Sequence, residues 1–385
     1  MKRISLTFIA GLICLAAWPQ QVEFFKGSWK EANDRAAKEH KFIFVDAYTE
    51  WCSWCKVMDK EMFHDPAIVE ILNTRFIPMQ IDFEDSMGIV LGMKFRVWAY
   101  PTTLIFNSYG QLTDKFNGYT DDHGEYLDFL KKNLEIKEER VFAFDSKKLD
   151  LPYPDLYSGV FLTGKDRKRP EKNAVKEYLQ TQEDLFSEIN WSVLLRFTPA
   201  SYQDFVVENL DQYSKLYGKK ETQDFVNNVI YSNMKKSVDS SDQAYFDKAL
   251  KLCDLLENPE DEKVYLKLTY SNMTKDWKGF AEALGSYIEK HGTENLMFIN
   301  NNCWTLYENT DDQEILLKAT EWMKMVIEKE PIWMYLDTYA ALLYKAGKLD
   351  EALIWVDKAI AAGDQEGQED ISSTKELKKM IEDKK

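Results

Sequence analysis

The residues best suited to chemistry lie in one hexapeptide, Trp51-Cys52-Ser53-Trp54-Cys55-Lys56. Two cysteines three positions apart at a helix start share one helix face. Their Cα atoms then fall within the ~4.4–6.8 Å that a disulfide requires. At a helix start the backbone N–H groups are unpaired and the macrodipole is positive, and both favour a thiolate. Cys52 is therefore expected to be the nucleophile, with the lower pKa and the greater exposure. Cys55, one turn inside, is placed to attack a mixed disulfide and release the partner. Two other readings compete. A structural zinc site wants four ligands, and here there is one pair, with His40 and His64 at no matching spacing. A purely structural disulfide across so short a span closes little loop and would add little stability.

Asp46 lies six residues before Cys52, near the end of the apolar run Phe42–Ala47. A carboxylate in a buried strand is costly unless it has a task. A raised pKa would let Asp46 accept and return the proton of Cys55. The competing reading is a carboxylate at an exposed strand end. Pro101 follows Tyr100 at the head of an apolar strand, where proline is ordinary with a trans bond.

The elements that must position these residues follow from local pattern. Ser28 is a candidate N-cap for a helix to about His40. Phe42–Ala47 reads as a buried strand feeding the cysteine helix. Pro66 suits the first position of a helix to about Thr74. Phe76–Phe83 reads as a strand, Ser86–Phe95 as a helix, Thr102–Phe106 as a strand and Lys115–Tyr119 as its hairpin partner. Asp121 or Asp122 can cap a last helix to Asn133. Strands separated by helices predict an α/β domain with a mostly parallel sheet closed by an antiparallel hairpin.

Motif and elements together resemble the thioredoxin superfamily: a strand carrying an acid, Trp-Cys-x-x-Cys-Lys, then Tyr100-Pro101-Thr102 before an apolar strand. The resemblance covers about Val22–Asn133. The text around Val45-Asp46-Ala47 and Lys56–Val69 is most similar to exported thioredoxin-like proteins near the reductase domain of the thiol:disulfide interchange family. It implies a central mixed sheet flanked by helices and a redox-active Cys52–Cys55 pair needing no other cofactor and no metal. It also implies that Pro101 is cis and faces the pair. Tyr100 and Gly118 would then line a substrate groove, with Trp51 and Trp54 beside the cysteines. The lysine that accompanies the buried acid in many thioredoxins falls near Pro78, so Asp46 needs another partner.

Beyond this stretch, residues 135–170 read as a connector marked by Pro152, Pro154, Pro170 and the charged run Lys165–Arg169. Residues 171–385 show helical spacing and no convincing strand, with breaks at Gly218, Pro259, Gly292 and Gly347. Ala319, Trp322, Met323 and Val326 recur 33 residues later as Ala352, Trp355, Val356 and Ala359. That period resembles the tetratricopeptide repeat, at about 300–364, with Asp276–Lys290 as a degenerate further copy. Two copies are below the usual minimum, so helices before Asn295 must complete the stack. Cys253 and Cys303 read as core residues.

Composition narrows the function. The 385 residues carry 49 Lys plus Arg against 65 Asp plus Glu, a net charge of −16. Such a chain repels phosphate backbones, so nucleic acid is not expected as a partner. No apolar run reaches the ~18 residues of a membrane helix. Lys2, Arg3 and the apolar stretch Ile4–Ala17 read as a signal peptide over 1–17, making the protein exported, and periplasmic if the cell is bacterial. Membrane attachment would come only through an uncleaved signal or a lipid on Cys14. No phosphate-cradling glycine loop or serine–histidine–acid set is present.

Two functions are compatible with these features. One is an exported thiol–disulfide oxidoreductase that reduces or exchanges disulfides in a client protein and is served by a thiol electron donor or acceptor protein. The other is a protein-binding scaffold that uses the tetratricopeptide-like region, with the thioredoxin-like domain as a docking surface. Retention of both cysteines with Trp51 and Lys56 favours the enzyme.

Overall fold

The computed structural model describes residues 21–136, 142–171, 173–368 and 370–385. The expected signal segment at 1–17 lies outside the described residues. The chain divides into two compact units, Met1–Asp224 and Phe225–Lys385.

In the first unit, local caps set the element ends. Helix α1 (Trp29–Glu39) starts at Ser28, whose hydroxyl accepts the Glu31 N–H while the Glu31 side chain accepts from the Ser28 N–H. Strand β1 (Phe42–Tyr48) is buried from Ile43 to Ala47 except for what little Asp46 shows. Helix α2 (Ser53–Glu61) follows. Helix α3 (Pro66–Arg75) has Pro66 in its first turn, and the Asp65 carboxylate accepts the N–H groups of Ala67 and Ile68. Strand β2 (Phe76–Asp82), helix α4 (Ser86–Phe95), strands β3 (Thr102–Phe106) and β4 (Leu112–Asn117) and helix α5 (His123–Leu134) complete the core of this domain. Phe44, Phe63, Leu72, Phe76, Tyr126 and Leu130 pack together on one side of the sheet.

The sheet order is β2-β1-β3-β4. Only β1 and β2 are parallel; β1 with β3 and β3 with β4 are antiparallel. The expectation of a mostly parallel sheet is corrected here. Helix α4 spans about 15 Å at 1.5 Å per residue, less than the ~23 Å of a seven-residue strand. It ends at Arg96 in the left-handed region, φ 56°. The chain therefore enters β3 beside Ala47, at the C-terminal end of β1, and runs back along it. Strand β2 is an edge, which accommodates Pro78 without a missing ladder donor. Val22–Phe25 makes single backbone bonds, Val22 N–H to the Phe63 carbonyl and Phe25 N–H to that of Pro78, and no strand.

The four-stranded mixed sheet with its covering helices is thioredoxin-like. The compact unit extends further, through α6 (Asp155–Ser158), α7 (Ala174–Gln180), α8 (Glu188–Phe197), α9 (Gln203–Glu208) and α10 (Leu210–Tyr217), into α11 (Lys219–Ser240). Sequence reading had placed these helices in a connector and a C-terminal region. The reason for the difference is a buried charge cluster. Lys94 Nζ lies 2.8 Å from Glu188, Arg96 Nε 2.8 Å from Glu221, and Lys115 Nζ 2.7 Å from Glu221. Trp191 Nε1 also donates to Glu221 at 2.9 Å. Burial pushes the Glu221 carboxyl up, but Arg96 and Lys115 outweigh it and hold the pKa at about 2.

The second unit has no strand among the described residues. Its helices are α12 (Gln243–Leu252), α13 (Pro259–Thr274), α14 (Trp277–His291), α15 (Leu296–Asn309), α16 (Gln313–Lys329), α17 (Trp333–Lys345), α18 (Leu349–Glu366) and α19 (Ser372–Lys384), and those from α13 onward share a core from Leu268 to Ile381. The repeated positions Ala319, Met323 and Val326 of α16 are fully buried, as are Ala352, Val356 and Ala359 of α18. Helices α13 and α14 contribute Leu268, Phe280, Leu284 and Ile288 to the same core, so helices before Asn295 do extend the stack.

Candidate functional site

Cys52 and Cys55 form a disulfide with Cα atoms 5.3 Å apart. Cys52 is the N-cap of α2, in an extended conformation, and its Sγ accepts the backbone N–H of Cys55 at 3.0 Å. That N–H is one of the donors a helix start leaves unpaired. It points at the sulfur that would carry negative charge on reduction, which stabilises a Cys52 thiolate. Greater exposure of Cys52 is not found in this oxidised state: Cys52 is 4% exposed and Cys55 7%. Bonded sulfurs shield each other, so helix position no longer separates them. The surface around the pair belongs instead to Trp51 and Trp54, 66% and 59% exposed.

Asp46 is 2% exposed, in the middle of the sheet, between Gln80 on β2 and Thr103 on β3. Gln80 Nε2 donates to Asp46 Oδ2 at 3.1 Å and to Asp59 Oδ1 at 3.3 Å. Asp46 Oδ1 has no hydrogen-bond partner among the described residues. Burial pushes the Asp46 carboxyl up to about 7; the Gln80 bond opposes this and the charge of Asp59 adds to it. The partner that sequence reading could not supply is thus a neutral amide, and the acid sits where it can hold or release a proton near neutrality. A cleft of about 390 Å³ lined by Thr49, Cys55, Lys56, Asp59 and Gln80 joins Cys55 to that amide. Gln80 and Asp59 were not singled out from sequence. Only the β1–β2 register sets Gln80 opposite Asp46.

The Tyr100–Pro101 peptide bond is cis. The Pro101 carbonyl accepts the Gly118 N–H at 2.8 Å. Gly118 has φ +87°, a region where a side chain would be strained. Trp54, Tyr100, Pro101, Gly118, Tyr119 and Asp121 line a cleft of about 520 Å³. Trp54 stacks on Tyr119 with centroids 5.7 Å apart, and Trp51 meets Tyr100 edge-on at 6.1 Å. Trp51 Nε1 donates to Glu84 at 3.0 Å, and the Tyr119 hydroxyl donates to Glu61. The residues Trp51, Trp54, Tyr100, Pro101 and Gly118 therefore surround one end of the sheet. Tyr119, Asp121 and Glu84 join them without having been foreseen, since a turn and a loop bring them there.

Cys253 and Cys303 are free thiols buried in helical packing. Burial pushes the Cys253 thiol up to about 11 and the Cys303 thiol higher, so both are poor nucleophiles at neutral pH.

Comparisons with known proteins fall on the same stretch. A family model described as Thioredox_DsbH, protein of unknown function, DUF255, matches residues 16–90. The protein disulfide-isomerase of Triticum aestivum is 31% identical over 129 residues, covering 30% of this chain and 23% of that protein. The thiol:disulfide interchange protein DsbD of a Pseudomonas fluorescens strain is 25% identical over 112 residues, covering 28% of this chain and 18% of that protein. A suspected disulphide-isomerase of Bacteroides thetaiotaomicron, solved in solution, is 34% identical, covering 31% of this chain and 98% of that one, with a TM-score of 0.28. The chain thus spans less than a quarter of the length of the two curated relatives, at 23% and 18%.

Proposed function

We propose that this protein is an exported thiol–disulfide oxidoreductase that reduces or exchanges disulfides in client proteins. The observation that carries the reading is the arrangement at the start of α2: a Cys52–Cys55 disulfide whose Cys52 Sγ takes a backbone N–H, close to a buried carboxyl poised near pH 7.

In the reduced form the Cys52 thiolate attacks one sulfur of a client disulfide. A Cys52–client bond forms, and the other client sulfur leaves as a thiolate and takes a proton. Asp46, ionised, then accepts the Cys55 proton. Cys55 attacks the Cys52 sulfur, the second client sulfur leaves, and the Cys52–Cys55 bond closes. The client gains two electrons and two protons, and the dithiol loses them. The reverse sequence oxidises a client dithiol. Because Asp46 serves only when ionised as the base for Cys55, resolution quickens as pH rises through about 7. Trp51, Trp54, Tyr100, Pro101 and Gly118 form the surface for the client chain.

The disulfide itself is the redox group, and a thiol donor or acceptor protein would reset it. Export rests on Lys2, Arg3 and the apolar stretch Ile4–Ala17, with the periplasm as the compartment if the cell is bacterial. The helices of the second unit, whose 33-residue period resembles tetratricopeptide repeats, are assigned the holding of clients.

The test is turnover of a small uncharged disulfide by the reduced protein, with a recycling thiol present. Turnover that is lost on Cys52→Ser supports the reading. A wild-type protein that reduces and oxidises nothing overturns it.

A further inference from the structure

On the other side of Tyr100 from the cleft that holds Pro101 lies a second, narrower cleft of about 120 Å³. Trp51, next to Cys52, and Tyr100, next to Pro101, form its inner wall. Its outer wall comes from the segment that follows the thioredoxin-like domain: Val160–Thr163, Arg167, and Arg196 of α8. The extension of the first unit beyond Leu134 therefore reaches the edge of the redox site and supplies two positive charges there.

Among the described residues Arg167 and Arg196 form no ion pair. The Arg196 guanidinium carbon lies 5.2 Å over the Trp98 ring, which holds the side chain in place without satisfying it. Its Nε is buried and has no hydrogen-bond partner among the described residues. Burial lowers the Arg196 pKa; Tyr157 opposes this, and the charge of Arg167 adds to it. Glu84 also lines the cleft, but its carboxylate is engaged by Trp51 Nε1 at 3.0 Å and reaches neither arginine within ion-pair distance. On the opposite side of Tyr100 the described residues lining the cleft include an acid, Asp121, and no cation.

We propose that this second cleft is a specificity subsite that receives a carboxylate side chain of the client, from an Asp or Glu close to the reacting cysteine. The inference rests on the oxidoreductase reading and names its substrate class. A client chain that crosses Tyr100–Pro101 has its flanking residues directed to the two clefts. The cleft with Arg167 and Arg196 accepts an acidic side chain through charge-assisted hydrogen bonds. The Asp121 side disfavours one. The polarity of the groove thus fixes both the preferred sequence and the direction in which a client lies.

The experiment uses the full-length protein and amidated peptides containing one cysteine in a mixed disulfide with an uncharged small thiol. The peptides differ only in carrying Glu, Gln or Lys two residues from the cysteine, on either side. Wild type is expected to favour Glu over Gln on one side by about tenfold in kcat/KM, mostly in KM, and to disfavour Lys there. Arg167 is exposed at the surface, so Arg167→Glu is expected to fold and to invert the order toward Lys. Arg196→Gln is expected to flatten it. Equal rates for the three peptides in wild type, or an order unchanged in both variants, overturn the subsite. A wild type that fails even on the uncharged small disulfide overturns the oxidoreductase reading instead.

Discussion

Arg96 and Glu221 stand 125 positions apart in the chain and meet in the interior of the first unit, with Nε 2.8 Å from the carboxylate. Arg96 closes α4 immediately before the loop that leads to Pro101. Glu221 opens α11. The same carboxylate accepts Lys115 of β4 and Trp191 of α8, so three separate segments converge on it. Breaking one side of such a pair leaves a charge without its partner in a poorly solvated place.

A fragment ending at Pro170 removes Glu188 and Glu221 and strands Lys94 and Arg96. It is expected to be less stable than a fragment ending at Ser240 by at least the ~3–5 kcal/mol typical of a broken buried pair. Denaturant unfolding of the two fragments measures this. Equal midpoints would mean that the helices after residue 170 do not support the thioredoxin-like domain.

Glu221→Gln should cost a similar amount at neutral pH and little at low pH. The folded-state pKa of Glu221 is lowered to about 2 from 4.5, so its contribution is present above pH 4.5 and lost as pH falls toward 2. Unfolding curves of wild type and variant should therefore draw together below pH 4.5 and converge only near pH 2. A gap that persists there points to lost packing rather than lost charge.

Asp46 has the opposite sign. Its pKa rises from 3.8 unfolded to about 7 folded, so ionising it destabilises the fold progressively between those values and constantly above them. About three units correspond to about 4 kcal/mol at most. Asp46→Asn should leave stability unchanged near pH 4, raise it by a few kcal/mol at pH 8, and slow release of mixed disulfides. A variant no more stable than wild type at pH 8 would contradict the buried, partly unpaired carboxyl.

Cys55→Ser should leave Cys52 able to attack and nothing to resolve the product, so mixed disulfides with client proteins accumulate in an exported setting. The double variant with Cys52→Ser should show none. In reduced wild type, alkylation across a pH series should modify Cys52 first, because the Cys55 N–H and the start of α2 stabilise its thiolate. Faster reaction at Cys55 at neutral pH would reverse the two roles.

Much of the site was legible along the chain. Cys-x-x-Cys at a strand-to-helix junction, the Ser28 cap, Pro66 at a helix start, and the run Ser86–Phe95 are signals carried by residues within a turn or two of one another. Their physics is local, so a linear reading finds them. The acid within the apolar run Phe42–Ala47 was compatible with a buried carboxyl or an exposed strand end, and the sheet buries it.

Tertiary structure decided the rest. That Asp46 is answered by Gln80, that β3 runs against β1, and that Glu221 gathers Arg96, Lys115 and Trp191 all depend on where distant segments return. The same holds for Arg167 and Arg196 at the edge of the redox site. Hydrophobic periodicity says which face of an element is buried, but not which element covers it or in which direction it runs. Those choices are made by strand register, by loops that close over many residues, and by the need of each buried charge for a partner.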